Sequence, residues 1–145
     1  MRINGEWKWD ENGVMTPVLI CELLSGDGEW MKSQFLIDSG AERTVISPDI
    51  LRTLDAPVQM ALDSLVGVGA AVQVLTVSTY LRLKLDDGAT ITVNGPFFGL
   101  PQEREGELSI LGRDVLGNFA VILDCPGDAI ALLHGRHRYT IHEVA

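Results

Sequence analysis

The sequence predicts an all-β protein. Short β-branched or alternating apolar runs recur along its 145 residues, turns rich in Gly, Asp and Pro separate them, and helical signals are confined to two short stretches. A hydrophobic content of 46% and a mean hydropathy of +0.18 fit a β-rich globular chain. The length is enough for one real core and too short for two, so residues 1–145 are expected to form a single domain.

Taken in order, Met1 to Gly13 is aromatic and polar and reads as an N-terminal extension, with Trp7 and Trp9 on one side of any strand it forms. Val14 to Leu24 is the first strong strand, and the turn Ser25-Gly26-Asp27-Gly28 joins it to Trp30 through Asp38. After Ile46, Ser47 is a helix cap followed by Pro48 at the first helical position, which predicts a short helix over Pro48 to Leu54. Val58 to Thr79 reads as two strands around a glycine tip, Gly67-Val68-Gly69. Thr79 to Leu85 and Ala89 to Val93 flank the turn Asp86-Asp87-Gly88. Pro96 to Leu100 is apolar and Gln102 to Glu107 a charged surface loop. Arg113 and Asp114 open a short helix expected to run through Phe119. Ala120 to Asp124 and Ala129 to Leu133 flank the turn Cys125 to Asp128, and Tyr139 to Val144 reads as a final strand.

Charge and composition exclude several classes. Eleven basic against twenty acidic residues give a net charge of −9, which argues against nucleic acid and anionic membrane as partners. Two cysteines, Cys21 in an apolar run and Cys125 beside a Pro-Gly turn, make no disulfide framework. A polar N-terminus without an apolar targeting segment, and no apolar run of membrane-spanning length, make a cytoplasmic, soluble protein the expectation. His134, His137 and His142 match no zinc spacing and have no clustered cysteine or carboxylate beside them, so no metal site and no cofactor are expected.

The chemistry concentrates in Phe35 to Ser47. Phe35, Leu36 and Ile37 run into Asp38, Ser39 and Gly40 follow, and Thr44, Val45 and Ile46 resume after Arg43: strand, tight turn, strand. A buried strand that delivers an aspartate is costly unless the carboxylate is hydrogen-bonded or compensated, which marks Asp38 as a functional candidate. Ser39 supplies a short hydroxyl to lock the turn, and Gly40 lets the backbone approach the carboxylate. Alone, Asp-Ser-Gly is ordinary turn chemistry. A second stretch alters that reading: Ile110 and Leu111 precede Gly112, where one segment can pack tightly against another backbone, and Arg113 can pair with a carboxylate such as Glu42.

Together these stretches resemble the retropepsin family, the aspartic proteases of retroviral type. The family's pattern is an Asp-Thr/Ser-Gly-Ala loop followed by an acidic residue, a glycine-rich flap, and an apolar-apolar-Gly-Arg-Asp/Asn segment. Here they are Asp38-Ser39-Gly40-Ala41-Glu42, Val66-Gly67-Val68-Gly69-Ala70 and Ile110-Leu111-Gly112-Arg113-Asp114, in that order, within Pro17 to Leu123. The stretch His134 to Ile141 resembles bacterial members more than viral ones. The resemblance implies a closed-barrel-like β domain with one short helix near its C-terminal part, forming a two-fold homodimer. It also implies an aspartic endopeptidase in which Asp38 of each subunit supplies one of two carboxylates sharing a proton. Ser39, Gly40 and Ala41 would complete the active-site loop, Ser39 by bonding across the dimer and Gly40 by lining the substrate backbone. Gly67, Val68 and Gly69 would form the flap over an extended peptide. Ile110, Leu111, Gly112, Arg113 and Asp114 would support the site from beneath, with Glu42 and Arg113 as a partly buried ion pair. The alternative is a catalytically silent module of the same fold that binds peptides or dimerises.

Overall fold

The computed structural model describes residues 1–63, 72–100 and 108–145. Two antiparallel hairpins dominate it. Strand β3 (Met15–Leu24) pairs with β4 (Trp30–Ile37) from Val18 opposite Leu36 to Leu24 opposite Trp30. Each strand alternates sides, so Leu19, Cys21 and Leu23 with Ser33, Phe35 and Ile37 form the buried face. Strand β8 (Tyr80–Lys84) extends this sheet beside β3 and pairs with β9 (Thr90–Asn94). On the other flank, β6 (Val58–Asp63) and β7 (Val72–Val77) pair antiparallel, and β7 lies beside β10 (Phe97–Gly99).

Between these flanks sit three short strands. β5 (Val45–Ile46) pairs parallel with β10, and β11 (Ser109–Leu111) lies between β5 and β4, antiparallel to the first and parallel to the second. The sheet path among the described residues is therefore β6-β7-β10-β5-β11-β4-β3-β8-β9, and β2 (Glu6–Trp9) adds to β3 off this path. A second sheet orders β1 (Arg2–Asn4), β13 (Ala129–His134) and β12 (Phe119–Asp124).

Helix α1 (Pro48–Leu54) starts where predicted: Ser47 is extended, Pro48 holds the first turn, and Asp55 stops it in the left-handed region at φ 50°. Helix α2 (Arg113–Leu116) ends earlier than its sequence suggests, because Gly117 closes the turn onto the Arg113 carbonyl and the β-branched run after Asn118 enters β12 from Phe119. Val115 and Leu116 are buried against a core that also contains Phe35, Leu111, Phe97 and Leu132. Fully burying each such side chain contributes about 1.5–3 kcal/mol.

The expectation of an all-β chain holds, and three of its details change. No closed barrel forms among the described residues: the sheet path is open, and its end strand β9 turns Thr90, Thr92 and Asn94 to solvent. The resemblance implied one short helix near the C-terminal part; α2 stands there, and α1 forms as well, where the Ser47-Pro48 signal predicted it. Tyr139 to Val144 is exposed and joins no ladder, since β1 and β12 already occupy both edges of the preceding strand, β13. No helix of the described residues is long and apolar enough to cross a membrane.

Candidate active site

Asp38 stands where β4 ends. Its amide donates to the Leu111 carbonyl at 3.1 Å, so the residue continues the parallel ladder in which Ile37 lies opposite Leu111. Alternation turns Phe35 and Ile37 into the core and leaves Leu36 and Asp38 on the other face, where both are half-buried. The chain then turns sharply: the Ala41 amide donates to the Asp38 carbonyl at 3.2 Å and the Gly40 amide to Asp38 Oδ1 at 3.0 Å. One carboxylate oxygen is thus held by the turn, and the carboxylate is oriented before any substrate arrives.

Beneath the loop is a buried polar lock. Thr44 is fully buried, and its amide donates to both Asp114 carboxylate oxygens at 2.9 and 3.0 Å. Its hydroxyl donates to Asp114 Oδ1 at 2.7 Å and accepts from the Gly112 amide at 3.0 Å. Val115 also donates its amide to Asp114 Oδ1 at 2.9 Å. Loop and helix are tied again by backbone, Arg113 N to Ala41 O at 2.8 Å and Asp114 N to Glu42 O at 3.2 Å. A carboxylate with several short donors in a half-buried site makes strong charge-assisted bonds. Gly112 is required by space: a Cβ there would lie 2.5 Å from the carbonyl carbon of Arg43 and 2.6 Å from its oxygen. A similar bond secures the other side, where the Ser47 amide donates to the buried Ser109 Oγ at 3.0 Å.

The structure brings Asp38, Ser39, Gly40, Ala41, Ile110, Leu111, Gly112, Arg113 and Asp114 together. The Glu42 to Arg113 contact differs from the expectation. It spans 3.9 Å between side chains that are 67% and 51% exposed, a solvated pair worth little. The reason is that Arg113 directs Nη1 to the Ser39 carbonyl at 2.8 Å and so braces the loop through its backbone. Gly67, Val68 and Gly69 lie outside the described residues. Thr44 and Ser109, which hold the site from inside, were not singled out in the sequence; a hydroxyl within a β-branched or apolar run one or two residues from a motif is their only signal.

On the Asp38 face a groove of about 870 Å³ is floored by Val18, Leu36 and Ile110 and walled by Trp9, Leu100 and Leu108. Among the described residues no three metal-ligating side chains gather. His137 Nε2 contacts the carbonyl of His134, and His134 lies 6.0 Å from Phe119 ring to ring. Cys21 is buried, which pushes its thiol far above its ordinary pKa, and Cys125 is exposed; both are free.

A family model described as retroviral aspartyl protease matches residues 17–124, which contain the Asp38 loop and the Gly112 segment. The chain belongs to the retroviral aspartyl protease family. Membership gives this retropepsin-like chain a general activity class, aspartic proteolysis. Among solved structures, a retropepsin-like aspartic protease from Rickettsia conorii is similar at 14% identity and a TM-score of 0.51, covering 91% of this chain and 89% of that one. EIAV protease complexed with the inhibitor HBY-793 aligns at 23% identity and a TM-score of 0.46, over 70% of this chain and 86% of its own. No curated protein sequence matches the chain significantly.

Proposed function

We propose that the protein is a homodimeric aspartic endopeptidase in which Asp38 of one subunit faces Asp38 of a second across a two-fold axis. The observation that carries this reading is the single Asp-Ser-Gly loop of the chain, which follows the groove-lining Leu36 on the same face of β4 and supplies one carboxylate where general acid–base hydrolysis needs two. A second copy supplies the other.

In this mechanism the ionised Asp38 takes a proton from a water as its oxygen attacks the scissile carbonyl carbon. The protonated Asp38 gives its proton to the carbonyl oxygen, which forms a tetrahedral diol. The carbon–nitrogen bond then breaks as a proton passes from the first carboxyl to the leaving amine and a diol hydroxyl returns its proton to the second carboxylate, which leaves the carboxylic acid and restores the pair. The Gly40 amide on Oδ1 fixes each carboxylate's orientation, leaving Oδ2 for the partner and the water. Among the described residues Ser39 Oγ has no partner within the chain, which fits a hydrogen bond across the axis. Val18, Leu36, Ile110 and Leu108 offer apolar walls to side chains of an extended peptide. Two facing carboxylates share one proton, which makes one the base and the other the acid, and only this singly protonated pair is competent. Activity therefore follows a bell-shaped profile on the acid side of neutrality.

Asp38→Asn tests the proposal, because the amide is nearly isosteric and is no general base. Peptide-library hydrolysis read by mass spectrometry should vanish while circular dichroism is unchanged. Full activity in that variant, or cleavage by a species that sedimentation shows to be monomeric, would defeat it.

A further inference from the structure

The groove beside Asp38 has an acidic lip. Asp10 and Glu11 stand on the turn between β2 and β3 at its rim. Asp10 is fixed there by accepting the Asn12 and Val14 amides, both at 2.9 Å, whereas Glu11 makes no contact among the described residues. The cation on the same wall, Lys8, is already engaged by Gln34 at 3.1 Å and Glu6 at 3.7 Å. Trp9 is 69% exposed beside an apolar floor. Such a cleft suits an extended segment with bulky apolar side chains and flanking positive charge.

The chain carries one such segment. Residues 136–145 are exposed and belong to no helix or strand, and their one hydrogen bond among the described residues is that of His137 with the His134 carbonyl. Within them Arg136 and Arg138 outnumber Glu143, in a protein of net charge −9. Tyr139 and Ile141 are 56% and 90% exposed, and in an extended chain they project to the same side. We propose that this tail docks in the groove of a second copy, with Tyr139 and Ile141 against Trp9, Leu36 and Ile110 and the arginines beside Asp10 and Glu11. The tail thereby competes with peptide substrate, a role that rests on the protease reading.

A second copy is favoured over the tail's own groove by the direction of the chain. Trp7, the neighbour in β2 of the groove-lining Lys8, donates its Nε1 to the carbonyl of Ala129 at 3.2 Å, which places that strand near the start of β13. The tail leaves from the far end of that strand, at His134, five residue steps or roughly 17 Å away. It then has to reverse its course to reach its own cleft.

The test is fluorescence anisotropy of a labelled peptide spanning residues 135–145. It is titrated with the full-length chain carrying Asp38→Asn, to prevent hydrolysis, and Tyr139→Ala, to weaken its own tail. Saturable binding is expected, weakened at least tenfold by Trp9→Ala or Glu11→Lys in the protein and by Tyr139→Ala in the peptide, and reduced by added salt. Neither Trp9 nor Glu11 is buried, so both variants should fold. In the otherwise native full-length chain, Tyr139→Ala should raise kcat/KM on an unrelated peptide. Absence of saturable binding, or binding indifferent to Trp9 and Glu11, overturns the proposal. Trp9-dependent binding to this variant, with the native chain hydrolysing no peptide, would refute the protease reading and the competition while leaving the docking in place. Hydrolysis of other peptides without tail binding would do the reverse.

Discussion

Thr44 offers the sharpest test of how the site is held. Thr44→Val conserves shape and removes a hydroxyl that serves Asp114 Oδ1 at 2.7 Å and the Gly112 amide at 3.0 Å. The Gly112 amide is then left buried without its acceptor, a cost of about 1–3 kcal/mol. Asp114 loses one charge-assisted bond, worth about 1.5–3 kcal/mol in isolation. It keeps the Thr44 and Val115 amides, so that loss is partial. The two costs share one hydroxyl and are not additive, so a total of about 2–4 kcal/mol is expected. For a domain of this size roughly 3 °C accompanies each kcal/mol, which lowers Tm by roughly 6–12 °C. Thr44→Ser keeps the hydroxyl and loses one buried methyl, about 1 kcal/mol. Thermal and urea unfolding at one fixed protomer concentration measure both variants, since dimerisation couples to stability. A Thr44→Val chain within 0.5 kcal/mol of the parent, or a Thr44→Ser chain as damaged as Thr44→Val, would refute the lock.

Gly112→Ala should cost more than the threonine variant, because its Cβ meets only backbone atoms of Arg43 at 2.5–2.9 Å; chemical unfolding or loss of soluble yield reads it. Glu42→Gln should change stability by less than about 0.5 kcal/mol, the pair being solvated, whereas Arg113→Ala frees the Ser39 carbonyl and should lower kcat through a loosened loop, which steady-state kinetics compare directly. The Arg82 guanidinium, hydrogen-bonded to Glu22 at 3.1 Å through two nitrogens, holds that carboxyl below the usual carboxylate range. A lowered folded-state pKa means that the pair stabilises the protein at neutral pH and loses this contribution as pH falls through the folded pKa. NMR titration should therefore place Glu22 below a free glutamate, and Arg82→Met should bring it back up.

The site was legible from its motifs because they combine residue types that packing alone does not ask for. An aspartate following Phe35-Leu36-Ile37, and a glycine following Ile110-Leu111, each spend a core-adjacent position on something other than burial. Hairpins were legible as well, since Ser25 to Gly28 and Asp86 to Gly88 carry turn chemistry that specifies register locally. β11 was less so. Three residues, Ser109 to Leu111, acquire strand geometry only by lying between β4 and β5, partners more than sixty residues away in sequence. The open sheet and the unpaired tail escaped for the same reason, because edge occupancy is settled by the whole topology.

The ion pair escaped for a different reason, and it bears on what keeps the aspartate in place. Charge complementarity suggested that Glu42 and Arg113 would hold loop and helix together, and both were expected to be partly buried. In the fold the half-buried charge is that of Asp114, one residue on, satisfied by Thr44 and Val115 with no cation beside it among the described residues. Burying a charge among fixed dipoles avoids desolvating a second ion, and the donors are backbone amides and one hydroxyl that the fold already orders. Arg113 is thereby free to reach the Ser39 carbonyl from the surface. The loop bearing Asp38 is thus restrained from below by the Asp114 carboxylate with its neutral donors and from the side by an exposed cation. The Thr44 variants should act mainly through stability, and Arg113→Ala mainly through turnover. Equal losses of stability in Arg113→Ala and Thr44→Val would contradict this division.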